Sequence, residues 1–397
     1  MRRRWSIIAG YALVAAATQM LWLTYAAITT DAAHAYGVSE SAIGWLSEIF
    51  PLLYVVLAIA AGMLLDRWFA PVLATGAVLV AAGGLIRLGG LTFGWALVGQ
   101  VVVAVAQPVV LSAVGKLAAE VLPAPQRATG IAIGSAGSFV GMLAAVLLGP
   151  PLGAHGHLDR LLAIEAGLAA IAALLLVVPL LAWRAHETGT ECDATYDGQP
   201  VGHLGSVRAL WASQQMRTLC GLVFIGFGVF VALATWLQAL LHPDGVSDAA
   251  AGALLVLMII AGVLGCTVLP ARVARDQSEP GYMAAAVAAS AIGCAALGVV
   301  PWIGGRGAIL VIVGALLLPA LPIVLTAAEQ LAGPAAGTAG AIVWMAGNLG
   351  GLVVALIVQI LLHHPAAAFV AMGLVSLLGV PLVGRMRAAN TALDGIS

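Results

Sequence analysis

Residues 128–150 read ATGIAIGSAGSFVGMLAAVLLGP, a stretch without a single charged side chain. A transmembrane helix needs about 20 consecutive apolar residues. Most of the 397-residue chain divides into runs of this kind; 62% of its residues are hydrophobic and 8% are charged. A soluble domain is about a quarter charged. The sequence therefore predicts an all-α protein that crosses the membrane many times.

The same composition excludes several function classes. A soluble enzyme and a secreted disulfide scaffold would need far more polar surface. The net charge of −1 offers no field that would attract nucleic acid. Neither H-E-x-x-H nor G-x-S-x-G occurs in the apolar segments, so an intramembrane enzyme is not expected. We expect no cofactor and no metal site.

Twelve apolar segments account for most of the chain. They lie near residues 6–30, 41–65, 71–88, 93–115, 128–150, 161–183, 218–241, 249–270, 281–301, 307–327, 336–361 and 366–384. The polar stretch 184–210 separates the first six from the last six. We therefore predict an N-terminal six-helix bundle over 1–183, a linker over 184–210 and a C-terminal six-helix bundle over 211–397.

The basic residues predict the orientation, because cytoplasmic loops are enriched in Lys and Arg. With the N-terminus inside, the outer set is Arg87, Arg160 and Arg306. The cytoplasmic set is Arg2, Arg3, Arg4, Arg67, Lys116, Arg127, Arg184, Arg208, Arg217, Arg272, Arg275, Arg385 and Arg387. Both termini and the linker are thus expected in the cytoplasm. The loops are short and contain no Asn-x-Ser/Thr sequon, which favours a location in the plasma membrane of a bacterium, that is, the inner membrane.

A repeat relates the two halves. A shift of 210 positions aligns the fifth segment with the eleventh, pairing Gly130 with Gly340, Ala136 with Ala346, Gly137 with Gly347, Gly141 with Gly351 and Ala145 with Ala355. Composition alone is an alternative explanation, since both segments are rich in the small residues that helix contacts use. The equal position within each half favours duplication. Two six-helix halves in parallel repeat resemble the plan of the major facilitator superfamily.

The loop after the second segment adds to this resemblance. Gly62-Met63-Leu64-Leu65-Asp66-Arg67 resembles the G-x-L-x-D-R signature of that superfamily. The resemblance implies a gating loop of Gly62, Asp66 and Arg67, in which Asp66 meets a helix terminus of the same half and Arg67 stays near the inner surface. The usual following Gly and basic residues are missing. The alternative is an ordinary basic cytoplasmic loop.

Charged residues within the membrane are costly and are functional candidates. Arg87 and Lys116 lie at segment ends, where we expect them to snorkel. A membrane interior without cations favours a neutral or cationic substrate. Glu48 lies beside Pro51 and is a candidate to carry a coupling proton; the alternative is a hydrated structural acid. Glu165 is expected at the interface, and Glu329 as a conformational latch.

Three tryptophans, Trp22, Trp236 and Trp344, lie inside the first, seventh and eleventh segments. Tyr25 shares a helix face with Trp22, and Asn348 shares one with Trp344, by their spacing. Indole faces attract cations and can hold quaternary ammonium groups. Packing alone is the competing explanation. Gln107 precedes Pro108 and is expected to face a polar cavity.

These residues also resemble one family in particular. Trp22-Leu23-Thr24-Tyr25, Tyr36-Gly37-Val38-Ser39 and Ala42-Ile43-Gly44-Trp45-Leu46-Ser47 are similar to the W-x-x-Y and YGVS-x-x-AI-x-WLS patterns of the feline leukaemia virus subgroup C receptor family. Gly99-Gln100, Ala104-Val105-Ala106-Gln107 and residues 228–238 add weaker similarity. The likeness is strongest over 19–65 and patchy beyond 250.

Members of that family are carriers linked to choline, ethanolamine and haem-related transport. The resemblance implies that Trp22 stacks on an ammonium group and that Gln107 and Asn348 are polar residues of the same pocket. Val231 departs from the pattern, because the family has a Tyr there that completes the aromatic cage.

The sequence therefore predicts a carrier for a small cationic or zwitterionic solute that works by alternating access. Trp22 and Tyr25 would hold the cationic end, Gln107 would orient the polar remainder, and the second half would contribute Trp236, Trp344 and Asn348. The expected partners are a small-molecule substrate, the lipid bilayer and, as a coupling ion, protons; a monomer is expected. The alternatives are a proton-coupled exporter of hydrophobic drugs or metabolites, a haem-related carrier and a receptor that does not transport.

Overall fold

The computed structural model describes residues 2–153, 157–187 and 204–394. Within these ranges the chain is helical, with short turns and no strand. The helices of the first part are α1 (Arg2–Leu23), α2 (Thr29–Tyr36), α3 (Glu40–Arg67), α4 (Phe69–Ile86), α5 (Phe93–Val121), α6 (Ala124–Gly153) and α7 (Leu158–Glu187).

The remaining helices are α8 (Leu204–Ala212), α9 (Gln214–Leu241), α10 (Asp248–Asp276), α11 (Glu279–Leu297), α12 (Ile303–Leu317), α13 (Ala320–Ala332), α14 (Ala336–Ile360), α15 (Pro365–Leu377) and α16 (Gly379–Asp394). Serines begin several of the long helices. Ser39, Ser213 and Ser247 each accept a hydrogen bond from a backbone N–H of the first turn, which satisfies a donor that the helix itself leaves unpaired.

Eleven stretches of the described chain are long and apolar enough to cross a membrane. The longest, Ile303–Ile360, contains α12, α13 and α14. Together α12 and α13 cover the predicted tenth segment, and α14 covers the eleventh. The prediction of an all-α protein with twelve membrane segments is therefore confirmed.

The chain forms two compact units. The first contains Met1–Val207 together with Ala332–Ile342, and the second contains Arg208–Leu331 together with Val343–Ser397. The first unit thus includes the first turns of α14. Residues 188–203 of the predicted linker lie outside the described residues.

Glycines explain how the helices within each unit approach so closely. In the first unit, a Cβ atom at Gly137 or Gly141 of α6 would collide with the backbone of Ala12 or Ala16 in α1. In the second unit, a Cβ atom at Gly350 of α14 would collide with the backbone of Phe224 in α9. The glycine-rich stretches that revealed the sequence repeat are therefore surfaces of close helix packing.

Candidate functional site

Trp22 lies one residue before the end of α1 and remains partly exposed. Its indole Nε1 donates a hydrogen bond of 2.9 Å to the backbone oxygen of Ser47 in α3. The centroid of its ring lies 6.3 Å from that of Phe50, which is fully buried. The hydrogen bond fixes the ring while part of its surface stays open, as a site for a cation requires.

Ser47 contributes more than this carbonyl. Its side-chain Oγ is buried and has no hydrogen-bond partner in the described part of the chain. A buried hydroxyl without a partner calls for an explanation, such as a bound water or ligand. The sequence pattern contained Ser47 as part of Trp45-Leu46-Ser47 but gave it no role.

Tyr25 has different surroundings from Trp22, although the two are only three residues apart. Its side chain is completely buried, and its hydroxyl lies 3.1 Å from that of Tyr36. It belongs to an apolar cluster that also contains Ile28, Ile43 and Leu46. In this structure its ring is enclosed by protein.

The structure contradicts the predicted position of Arg87 and places Glu165 beside it. Arg87 is 1% exposed and does not snorkel, and Glu165 is 2% exposed. Arg87 Nη2 lies 3.2 Å from Glu165 Oε2. Hydropathy placed Arg87 at one segment end and Glu165 near another. It could not show that these two ends lie side by side in the folded unit, where the two charges neutralise each other.

Gln107 lies within α5, which continues through Pro108 to Val121. Its side chain is 3% exposed, so it lies inside the first unit in the middle of a membrane helix. Its role as a polar residue of the pocket stays a prediction.

The three predicted site residues of the second unit lie on α9 and α14. Trp236 Nε1 donates to the backbone oxygen of Ala355 at 3.1 Å. Trp344 is 2% exposed and packs edge-to-face against Phe227 at 5.6 Å between ring centroids. Asn348 is half-buried, and its Nδ2 donates to the backbone oxygen of Trp344 at 2.9 Å.

Glu48 is exposed on α3 and forms no ion pair or hydrogen bond within the described chain. The helical period places it on the same side of α3 as Pro51, Gly62 and Asp66. The carboxylate of Glu48 therefore lies at the surface of the protein, within a membrane-spanning helix.

Asp66 binds the start of α14. Its carboxylate accepts hydrogen bonds from the backbone nitrogens of Gly337, at 2.7 Å, and Thr338, at 2.9 Å. A helix N-terminus favours a negative charge. Gly62 allows the approach, because a Cβ atom there would lie 2.7 Å from Thr338 Cα. The prediction that Asp66 meets a helix of its own sequence half is wrong, since α14 belongs to the second half.

Lys116 provides the positive charge beside Asp66 and the start of α14, and these groups form the Asp66 cluster. Lys116 was predicted to snorkel, but it is 7% exposed and does not. Its Nζ lies 3.0 Å from the backbone oxygen of Asp66, 3.4 Å from Asp66 Oδ1 and 3.2 Å from the backbone oxygen of Pro334. Arg67 is exposed and lies over the ring of Trp68, 4.4 Å from its centroid.

The buried cations weaken one argument about the substrate. Arg87, Lys116 and Arg306 are all buried, so the protein interior does contain positive charges. Each is paired with a carboxylate, of Glu165, Asp66 and Asp244 respectively. No group of three or more His, Cys, Asp or Glu residues that could hold a metal ion occurs in the described ranges.

Known proteins resemble the chain in both sequence and fold. A family model described as Major Facilitator Superfamily matches residues 7–355. Solute carrier family 49 member A3 of Danio rerio is 30% identical over 322 residues, which cover 79% of this chain and 68% of the relative. The choline/ethanolamine transporter FLVCR2 of Homo sapiens is 27% identical over 290 residues, 67% of this chain and 54% of the relative.

Among solved structures, the human organic anion transporter MFSD10 superposes with a TM-score of 0.70 at 17% identity, over 96% of this chain and 99% of that one. The fucose:proton symporter FucP of E. coli gives a TM-score of 0.68 at 16% identity, again over 96% and 99%. Identities this low show the fold alone. Fold and relatives are those of transporters, not enzymes. The chain belongs to the major facilitator superfamily and, within it, to the family of the feline leukaemia virus subgroup C receptors and solute carrier family 49 that its motifs resemble.

Proposed function

We propose that this multi-pass membrane transporter carries a small cationic or zwitterionic amine of the choline and ethanolamine class by alternating access. The observation that carries the proposal is the Trp22 indole, fixed by Ser47 and Phe50 yet partly exposed. A cation over such a ring gains about 2 kcal/mol when water is excluded. The similarity to the human choline/ethanolamine transporter supports the same class.

The polar end of the substrate needs partners as well. The Ser47 hydroxyl is buried without a partner in the described chain, and Gln107 is a buried amide side chain of α5. Either can bind a substrate hydroxyl group. Tyr25 is assigned a supporting position behind Trp22, because its ring is enclosed. Trp236, Trp344 and Asn348 stay predictions from the sequence, to be tested one at a time.

Uptake of radiolabelled choline into proteoliposomes tests this function. Wild type is compared with Trp22→Ala and with Trp302→Ala, a control at a tryptophan that is 66% exposed. We expect saturable uptake by the wild type and the control, and at least a tenfold loss in Trp22→Ala. Equal uptake by both variants would contradict an aromatic site at Trp22.

A second candidate function is proton-coupled export of hydrophobic drugs or metabolites. It is favoured by Glu48, an exposed carboxylate within a membrane helix. Under this alternative, a pH gradient drives flux of varied substrates, and Glu48→Gln abolishes the response to the gradient. Choline flux that changes neither with the pH gradient nor with the Glu48→Gln substitution would favour facilitated transport.

We further propose a plasma-membrane location in a bacterium, with both termini in the cytoplasm, a monomeric state, and two six-helix halves joined by the 184–210 linker. The excess of basic residues in the predicted cytoplasmic loops supports the orientation. Cysteine labelling from either side of the membrane at each terminus tests it.

A further inference from the structure

Arg87 lies at the centre of a buried polar cluster in the first unit. It follows α4, in the short turn Arg87–Gly89. Its guanidinium contacts four side chains: Thr24, the residue directly after α1, and Gln100 of α5, both at 3.3 Å, Glu165 of α7 at 3.2 Å, and the ring of Tyr25, whose centroid lies 5.6 Å away. Gly99 makes room for it, because a Cβ atom there would collide with Arg87 Cγ. The cluster thus joins three membrane helices around one charge.

One connection leads from this cluster to Trp22 along α1. Thr24 lies two residues after Trp22, where α1 ends. Its Oγ1 donates to Glu165 Oε2 at 2.7 Å and accepts from Arg87 Nη1. The end of the helix that carries the indole is therefore bound to both members of the ion pair.

A second connection reaches the partner of Trp22 on α3. Gln100 Oε1 accepts from Arg87, and Gln100 Nε2 donates to the backbone oxygen of Leu46 at 3.3 Å. Leu46 directly precedes Ser47, whose backbone oxygen binds the indole Nε1. The donor Trp22 thus lies two residues from Thr24, which Arg87 binds directly, and the acceptor Ser47 lies one residue from Leu46, which Arg87 reaches through Gln100.

Stability alone is a poor reason for such a pair. A buried ion pair can often be replaced by apolar residues at no loss, whereas removing one member leaves an uncompensated charge. What an apolar pair cannot supply is the directed hydrogen bonds to Thr24 and Gln100. Through these hydrogen bonds, the ion pair connects the end of α1 to α3 at the point where Trp22 contacts Ser47.

We propose that Arg87 and Glu165 are positioning residues for substrate binding, which fix the Trp22 indole against Ser47 through Thr24 and Gln100. This inference rests on the proposed function for the ligand, but not for the geometry of the indole. Neither residue touches the substrate. They act by holding the aromatic surface in the orientation that receives the ammonium group.

The test uses full-length protein labelled with 5-fluorotryptophan, in which the ¹⁹F resonance of Trp22 is assigned from its loss in Trp22→Phe. The main variant is the double replacement Arg87→Met with Glu165→Met, which removes both charges. Gln100→Met is a second, milder variant that keeps the ion pair but removes its link to Leu46. The control is Asp244→Asn, which breaks the Arg306–Asp244 pair of the second unit.

We expect the double variant to unfold at a temperature close to that of the wild type, to shift or broaden the Trp22 resonance, and to bind choline about tenfold more weakly. Gln100→Met should change the resonance in the same direction by less. Asp244→Asn should leave the Trp22 resonance and choline binding unchanged. An unchanged Trp22 resonance in the double variant and in Gln100→Met would overturn the inference.

The two proposals can fail separately. If wild-type protein does not bind choline or ethanolamine, the proposed function is wrong, but the resonance still decides whether the ion pair positions Trp22. If the single variant Glu165→Met loses binding and the double variant regains it together with the native resonance, the effect comes from an unpaired charge, and the positioning role is contradicted.

Discussion

The first unit holds two buried ion pairs that are built in opposite ways. Around Arg87 and Glu165 the contacts run from side chain to side chain, through Thr24 and Gln100. Asp66 and Lys116 instead bind mostly backbone groups, the N–H groups at the start of α14 and the carbonyls of Asp66 and Pro334. The first arrangement depends on particular side chains meeting in the interior. The second depends on a helix end being in place.

This difference has a consequence for how each pair responds to movement. If α14 withdraws, water can hydrate its free N–H groups and the Asp66 carboxylate, so no charge is left buried. Separation of Arg87 from Glu165 would leave a charge in an apolar interior, at a much greater cost. We therefore expect the Arg87 cluster to persist throughout a transport cycle and the Asp66 cluster to form and break.

The largest effect is expected from Glu165→Leu, which removes the only carboxylate that pairs with Arg87 in the described chain. An uncompensated buried charge costs about 3–5 kcal/mol. The apparent unfolding temperature in detergent should fall sharply and should recover in the double replacement of Arg87 and Glu165 by Met. A single variant as stable as wild type would show that Arg87 can reach water.

A smaller loss is expected from Asp66→Ala. The N–H groups of Gly337 and Thr338 lose a charged acceptor, and such bonds contribute about 1.5–3 kcal/mol. Part of this loss is offset because a helix end can take up water. An unfolding temperature that drops as far as that of Glu165→Leu would contradict the contrast between the two clusters.

Lys116→Met should lower the free energy of unfolding by less again, about 1 kcal/mol, because the N–H groups of Gly337 and Thr338 still donate to the Asp66 carboxylate. We expect transport to change more than stability, since the bond from Lys116 to the Pro334 carbonyl holds the segment before α14. Unfolding and choline uptake measured on the same preparation separate the two effects. Lys116→Arg, which keeps the charge, is the matched control.

No measurable loss of stability is expected from Arg67→Ala. Arg67 is exposed and contacts the ring of Trp68 at the surface, and exposed charges contribute little. Thermal unfolding of this variant should match the wild type. A clear loss would mean that Arg67, as the signature motif predicts, belongs to the gating cluster.

Much of the fold could be predicted from the sequence, because hydropathy and small residues carry the information. The apolar segments gave the number of membrane crossings. The glycine-rich stretches that repeat at a spacing of 210 marked α6, which packs closely against α1, and α14, which packs closely against α9. The signature Gly62–Arg67 gave the right residue in Asp66 but the wrong partner. Which helix end reaches a loop is decided by tertiary packing.

The surroundings of the site were harder to predict. Trp22 was identified by its position, but its neighbour Tyr25 turned out to be enclosed, since a spacing of three does not show what covers each ring. Arg87 was expected to snorkel and Glu165 to lie at the interface, because each lies near a segment end. A signal did exist: opposite charges at corresponding depths of two segments can neutralise each other and remain buried.

The most direct test of the account compares choline with 3,3-dimethyl-1-butanol, which has the same shape without the positive charge. Equilibrium binding of both to purified protein isolates the cation–π contribution, about 2 kcal/mol or roughly thirtyfold in affinity. We predict that wild type prefers choline by at least tenfold and that Trp22→Leu loses this preference. Equal affinities in the wild type, or a preference that survives Trp22→Leu, would contradict an aromatic ammonium site at Trp22.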